Sequence, residues 1–161
     1  MKSTTELQYC PACGIKQFHA GDFNPWKCPV CRFQFYQNTA TAAGALIFNK
    51  KGELLTVRRA KMPSKGKLGI PGGFLDRGET AEIGLCREVM EEVNLRITDI
   101  QYLCSFPNEY MFQGICYHTI DLYFTARAVD LKDIKALDEV SDYEWHDPAK
   151  LKAEELSFPS F

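Results

Sequence analysis

Charge of one sign is scarce in this chain. Its 161 residues carry a formal net charge of −2 at pH 7, which excludes a diffuse electrostatic hold on nucleic acid or on an anionic membrane. A phosphate-bearing partner must therefore be gripped by local chemistry. Long hydrophobic runs are lacking too: the longest nearly uncharged apolar stretch, ATAAGALIF at 40–48, falls well short of the about 20 residues that cross a bilayer. The opening MKSTTELQYC has no apolar signal core, so the expectation is a soluble, cytoplasmic chain with no membrane partner. Repeats and low-complexity segments are also missing. With 45% hydrophobic and 25% charged residues, the length suits one compact domain with a small appendage.

What is present begins with cysteine. Of seven cysteines, Cys10, Cys13, Cys28 and Cys31 form two C-x2-C knuckles, YCPACG and KCPVC. Thiolates at that spacing point to one tetrahedral zinc ion, and because all four ligands come from the chain, no position is left for a catalytic water. The zinc is expected to be structural. A segment this short cannot build its own core without the metal, and Phe18, Phe23, Trp26, Phe33, Phe35 and Tyr36 supply the apolar surface around it. Two disulfides or a redox pair are the competing reading. Cys86, Cys104 and Cys116, scattered in apolar segments, weigh against it as ordinary buried thiols of a reducing compartment.

The rest of the chain reads as α/β in the mixed-sheet, α+β sense, with helices on the sheet faces. Residues 1–37 form the metal-bound module and residues 38–161 the main domain. TATAAGALIF and LLTV, joined by NKKGE, suggest a two-stranded hairpin. TDIQYLCSF, YHTIDLYFTAR and YEWH read as further strands, and a short helix is expected from Pro148 to about Leu156.

The helix candidate from Thr80 to Val93 carries an unusual load. At about 100° per residue, Glu92 lies about 40° to one side of Glu88 and Glu91 about 60° to the other, so three carboxylates share one narrow face. Gly84 and Ala81 fall on that face and are expected to clear space above the acids. Cys86, Val89, Met90 and Val93 should anchor the opposite side in the core, and Thr80 is a credible N-cap. A solvated acidic face is the alternative, but Arg87 is the only base among residues 78–95, so the lysines that accompany such faces are missing. Oxygen-seeking divalent cations, Mg²⁺ or Mn²⁺, would relieve the crowding, bound through these carboxylates and substrate phosphates.

These residues resemble the box of the Nudix hydrolases: Gly73, five residues, Glu79, seven residues, Arg87-Glu88-Val89, one residue, Glu91-Glu92, one residue, then Asn94-Leu95. Asn94 stands where the family has glycine, and asparagine is the next most tolerant residue for the left-handed conformation that ends a helix. A four-cysteine ribbon directly before such a domain, with FYQNTATAAGALI at the junction, is similar to the NADH pyrophosphatase and FAD pyrophosphatase branch. The resemblance implies an α/β/α sandwich and hydrolysis of a pyrophosphate linkage in a nucleoside diphosphate joined to another moiety. It implies that Glu88, Glu91 and Glu92, with the carbonyl of Gly72 or Gly73, hold the catalytic Mg²⁺ or Mn²⁺. It further implies that Arg87 and Glu79 orient the cluster through an ion pair.

The same resemblance places an acid before the last sheet strand, where Glu139 precedes Trp145; Asp138, Asp142, Glu144 and Asp121 are its rivals. Arg58, Arg59, Lys65 and Lys67 precede the box in a loop that can meet phosphates, with a solvated surface role as the alternative for each; Phe106, Tyr110, Phe112 and Tyr117 are candidates to stack an adenine, with core or loop packing as the alternative. NADH pyrophosphatases carry SQPWPFP after the box, and CSFPNEYMFQG matches it only at Ser105, Phe106 and Pro107. NADH, FAD, ADP-ribose and dinucleoside polyphosphates thus stay open as substrates. The expected partner is a small nucleotide rather than nucleic acid, and a homodimer is left open. A sensor or binding module that uses the ribbon without turnover is the second class of function. The intact glutamate face distinguishes the enzyme from it.

Overall fold

The computed structural model describes residues 8–16 and 25–160. Two sheets and one α-helix form the main domain, in the mixed α+β class expected. The first sheet has the order β6-β3-β8-β7, with β3 (Ala40–Ile47), β6 (Gly72–Phe74), β7 (Ile97–Phe112) and β8 (Ile115–Ala128). Its central pair, β3 and β8, is parallel, and its other pairs are antiparallel. The second sheet has the order β5-β4-β9, with β4 (Leu54–Arg59), β5 (Leu68–Gly69) and β9 (Val140–His146). A two-stranded ribbon of β1 (Trp26–Lys27) and β2 (Gln34–Phe35) precedes them. Phe18 and Phe23, expected around the metal, lie outside the described residues.

The expected hairpin of β3 and β4 is corrected. The strands share only the bridge Phe48–Leu54 and then part into different sheets. Both edges of β3 are already taken, by β6 and β8, so β4 pairs with β5 and β9 instead. The expected helix over residues 148–156 is two 3-10 turns, Pro148–Lys150 and Ala153–Glu155, with no buried residue to fix a longer helix. Strand β7 runs on through Pro107, which the sheet tolerates because β7 is an edge strand.

Helix α1 (Ala81–Val93) begins at Thr80, whose hydroxyl accepts from the Ile83 N–H at 3.3 Å. It ends at Asn94 in the left-handed region, φ 53°, with the Asn94 side chain donating to the Asp133 carbonyl at 2.8 Å. Leu85, Val89 and Val93 are fully buried against Ile47, Leu55 and Phe124, each contributing about 2 kcal/mol of transfer free energy. Leu85, rather than the half-buried Cys86 and Met90, completes the anchoring stripe. Among the described residues no helix is long and apolar enough to cross a membrane.

Candidate active site

The four knuckle cysteines converge. Their sulfurs all lie within 4.8 Å of one another, with Cys10–Cys31 and Cys13–Cys28 at 3.7 Å. Four thiolates at about 2.3 Å around a tetrahedral ion stand about 3.8 Å apart, so the cage has the size of a zinc site, whereas a disulfide needs about 2.05 Å. All seven cysteines are free. The two knuckles are built alike: the Cys10 N–H donates to Ile15 and the Cys28 N–H to Phe33, both at 2.9 Å. Gly14 and Arg32 turn the chain at positive φ, 72° and 62°.

The acidic face of α1 forms one wall of a cavity of about 310 Å³. Glu88, Glu91 and Glu92 all line it. Glu92 is buried, and its Oε2 accepts from the Gly72 N–H at 2.9 Å. Burial pushes its carboxyl up to about 8 against the pull of that hydrogen bond, with Glu88 adding to the rise. Burial also raises Glu88 above the ordinary carboxylate range, with Arg87 opposing. Two neighbouring carboxylates pressed toward neutrality are a donor set short of positive charge, which suits a hard divalent cation.

Arg87 organises this wall. Its Nε and Nη2 each donate to Glu79 at 2.8 Å, its Nη1 to Glu88 at 2.6 Å and to Glu91 at 3.2 Å, and Nη2 also reaches the Phe74 carbonyl at 3.0 Å. These hydrogen bonds hold the Glu79 carboxyl down at about 2 and raise Arg87 itself. Glycines let the parts close up. A Cβ on Gly73 would come within 2.5 Å of Glu88 Oε2, and Gly72, at φ 144°, would drive one to 2.1 Å from the Ala43 carbonyl. At Gly84 the expected open space is filled: a Cβ there would meet Leu75 at 2.5 Å and Glu79 at 2.9 Å. Its missing side chain makes room for the Arg87 partner rather than for a cation.

Glu139 lines the same cavity, as does Asp138. Lys61 Nζ stands 3.1 Å from Glu139 and 3.9 Å from Asp138. Of the other rivals, Asp121 lines the cavity too, whereas Glu144 is ion-paired with Arg58 and Asp142 accepts from the Tyr143 N–H, both outside the lining. Of the bases, Arg59 lines the cavity and Arg58 does not; it is held by Glu144 and the Gly66 carbonyl. Of the aromatics, Tyr110 lines it, whereas Phe106 packs near Tyr123 at 6.3 Å between ring centres and is absent from the lining.

Among the lining residues that the sequence did not mark are Asn108 and Phe158, and Asp121, named only as a rival to Glu139, lines the cavity as well. The alternation in β8 does mark Asp121 as polar-facing, but that face looks into the cavity instead of solvent. Asp121 accepts from Thr119 and Asn108 at 2.9 Å and from Ser160 at 2.6 Å. Phe158 lies beyond the last regular element and carries no periodic signal.

The model described as the NUDIX domain matches residues 38–160. The chain is 28% identical over 144 residues to the NAD-capped RNA hydrolase NudC of Pseudomonas fluorescens, covering 87% of this chain and 48% of that protein. It is 33% identical to the mouse mitochondrial NAD(P)H pyrophosphatase NUDT13 over 71% of this chain and 34% of that one. The ADP-ribose pyrophosphatase of Methanocaldococcus jannaschii is 29% identical over 72% of this chain and 66% of its own length. The chain thus spans about half or less of the length of the first two. A NUDIX hydrolase structure from Nitrosomonas europaea has the same fold, with a TM-score of 0.68 and 24% identity over 95% of this chain and 85% of that one. With the arginine-bridged glutamates of its helix set on a cavity wall and the domain matched over residues 38–160, the chain belongs to the Nudix hydrolase family.

Proposed function

We propose that this chain hydrolyses the pyrophosphate linkage of an adenosine diphosphate joined to a second moiety, with Mg²⁺ or Mn²⁺ held by Glu88, Glu91, Glu92 and the Gly73 carbonyl. The observation that carries this reading is geometric: Glu88, Glu91 and Glu92 line one cavity wall, with one oxygen of each fixed by the Gly72 N–H or by Arg87. The substrate class draws on the relatives. NAD-capped RNA, NAD(P)H and ADP-ribose, after which they are named, share an adenosine diphosphate linked through ribose. FAD shares the adenosine diphosphate.

In the reaction water attacks one phosphorus in line, and the P–O bond on its far side breaks to release two monophosphates. A bound divalent cation supplies neutralisation of phosphate charge and activation of water. The chain's own residues prepare that chemistry. Gly72 fixes one Glu92 oxygen, and Arg87 fixes one oxygen each of Glu88 and Glu91, which leaves the second oxygens for ligation. Glu139 takes the proton of the attacking water, and Arg59 steadies the phosphates from the cavity wall. Residues 1–37 form a separate module in which the four cysteines hold a structural zinc, and the free thiols favour a reducing cytoplasm.

The test incubates the full chain with ADP-ribose, NADH or FAD and Mg²⁺ or Mn²⁺, and identifies products by mass. AMP with a second monophosphate is expected. Binding of these compounds without any cleavage would favour a sensor and overturn the hydrolase.

A further inference from the structure

Residues 156–160 follow the last regular element, yet they are tied down at nearly every position. Leu156 bridges to Leu68. The Ser157 N–H donates to the Leu68 carbonyl at 2.8 Å, and the Ser157 carbonyl accepts from the Ser64 hydroxyl at 2.9 Å. Ser160 donates to Asp121 at 2.6 Å. Asp121 sits on the central strand β8, so this strap is fastened to both sheets, to β5 through Leu68 and to β8 through Asp121.

Between those ties the strap places one ring, Phe158, on the lining of the carboxylate cavity. Phe158 meets Tyr110 with centres 5.7 Å apart and planes tilted by 41°. Phe74 braces Tyr110 edge-on at 5.2 Å, and the Arg59 guanidinium lies 5.1 Å from the Phe158 ring centre. A half-buried ring held by a network of polar tethers is not ordinary core packing, since tethering an irregular segment costs conformational entropy that one partly exposed phenyl does not return. The tethers make sense if the ring is needed where it stands.

We propose that Phe158, with Tyr110, forms the platform on which the substrate's nucleobase stacks, and that Ser64, Asp121 and the strap's own serines hold this platform at the carboxylate cavity. This deepens the reading of the cavity as a nucleotide site and rests on it. The ligand class is a planar heterocycle joined to a diphosphate, with adenine as its representative. Asp121 is then a positioning residue acting through Ser160. With three hydrogen-bond donors on its carboxylate, it is satisfied without a cation.

The test measures equilibrium binding of a non-hydrolysable, methylene-bridged analogue of ADP-ribose by calorimetry, with zinc and Mg²⁺ present, to the full chain and to Phe158→Ala and Phe158→Trp. Phe158→Ala should weaken binding about tenfold or more, and Phe158→Trp should restore it, because base stacking depends on an aromatic face. Melting temperatures report that both variants fold. In turnover with divalent ion, Phe158→Ala should raise KM for ADP-ribose with a smaller change in kcat, and Phe158→Trp should bring KM back. Equal binding by wild type and Phe158→Ala, failure of Phe158→Trp to restore it, or no binding of the analogue by the wild type would each overturn the platform. Binding that depends on Phe158 without any turnover would leave the platform standing and sink only the hydrolase.

Discussion

Glu79 and Glu92 lie in one short box and have opposite electrostatic fates. Glu79 is held at about 2 by Arg87, below its ordinary 4.5, so its contribution to stability is present above pH 4.5 and lost as pH falls toward 2. Unfolding curves of wild type and Glu79→Gln should therefore converge across that window, and a gap that persists at its acid end would contradict the Arg87 clamp. Glu139 makes a kinetic prediction. If Glu139 takes the proton from water as proposed, Glu139→Gln should lower kcat by about two orders of magnitude, with a smaller change in KM. Its neighbour Asp138 lines the same cavity; if Asp138→Asn shows that loss and Glu139→Gln does not, the role moves by one residue. The box acids were legible because chemistry constrains residue type and spacing together. Phe158 was not, because an aromatic outside any regular element leaves no pattern until the chain is folded.

Among the elements, helix α1 was the most legible, since Thr80 and Asn94 mark its ends and Val89 and Val93 face the core as expected, although Leu85 rather than Cys86 and Met90 completes the buried stripe. The strands were legible as strands but not as partners. β3 and β4 read as a hairpin on local grounds, and only the competition of β6 and β8 for the edges of β3 separates them. The residues at 148–156 read as helical, yet a segment with no buried face settles for isolated turns. The cysteine ribbon is the element whose stability is predicted to come from outside the polypeptide. Cys28→Ser should release zinc and unfold the knuckles, detected as loss of bound metal and of the ribbon's amide protection. Retention of both would mean that the cage does not hold the ion through this thiolate.

At the scale of the whole molecule, β3 and β8 from one sheet, residues of β4 and β5 from the other, and the acidic face of α1 meet around one cavity. Arg59, Glu139 and Phe158 reach it from segments far apart in sequence, which is why composition and periodicity could name the acids but not the chamber they face. The central claim is that the charge on that buried wall does the chemistry. Glu92→Gln tests it most directly, because glutamine keeps the shape and can still accept from the Gly72 N–H while removing the charge. The decisive measurement is kcat/KM for ADP-ribose in saturating Mg²⁺ or Mn²⁺, wild type against Glu92→Gln, with equal folding confirmed by melting temperature. A fall of about two to three orders of magnitude or more is predicted; turnover within a few-fold of wild type would contradict the account.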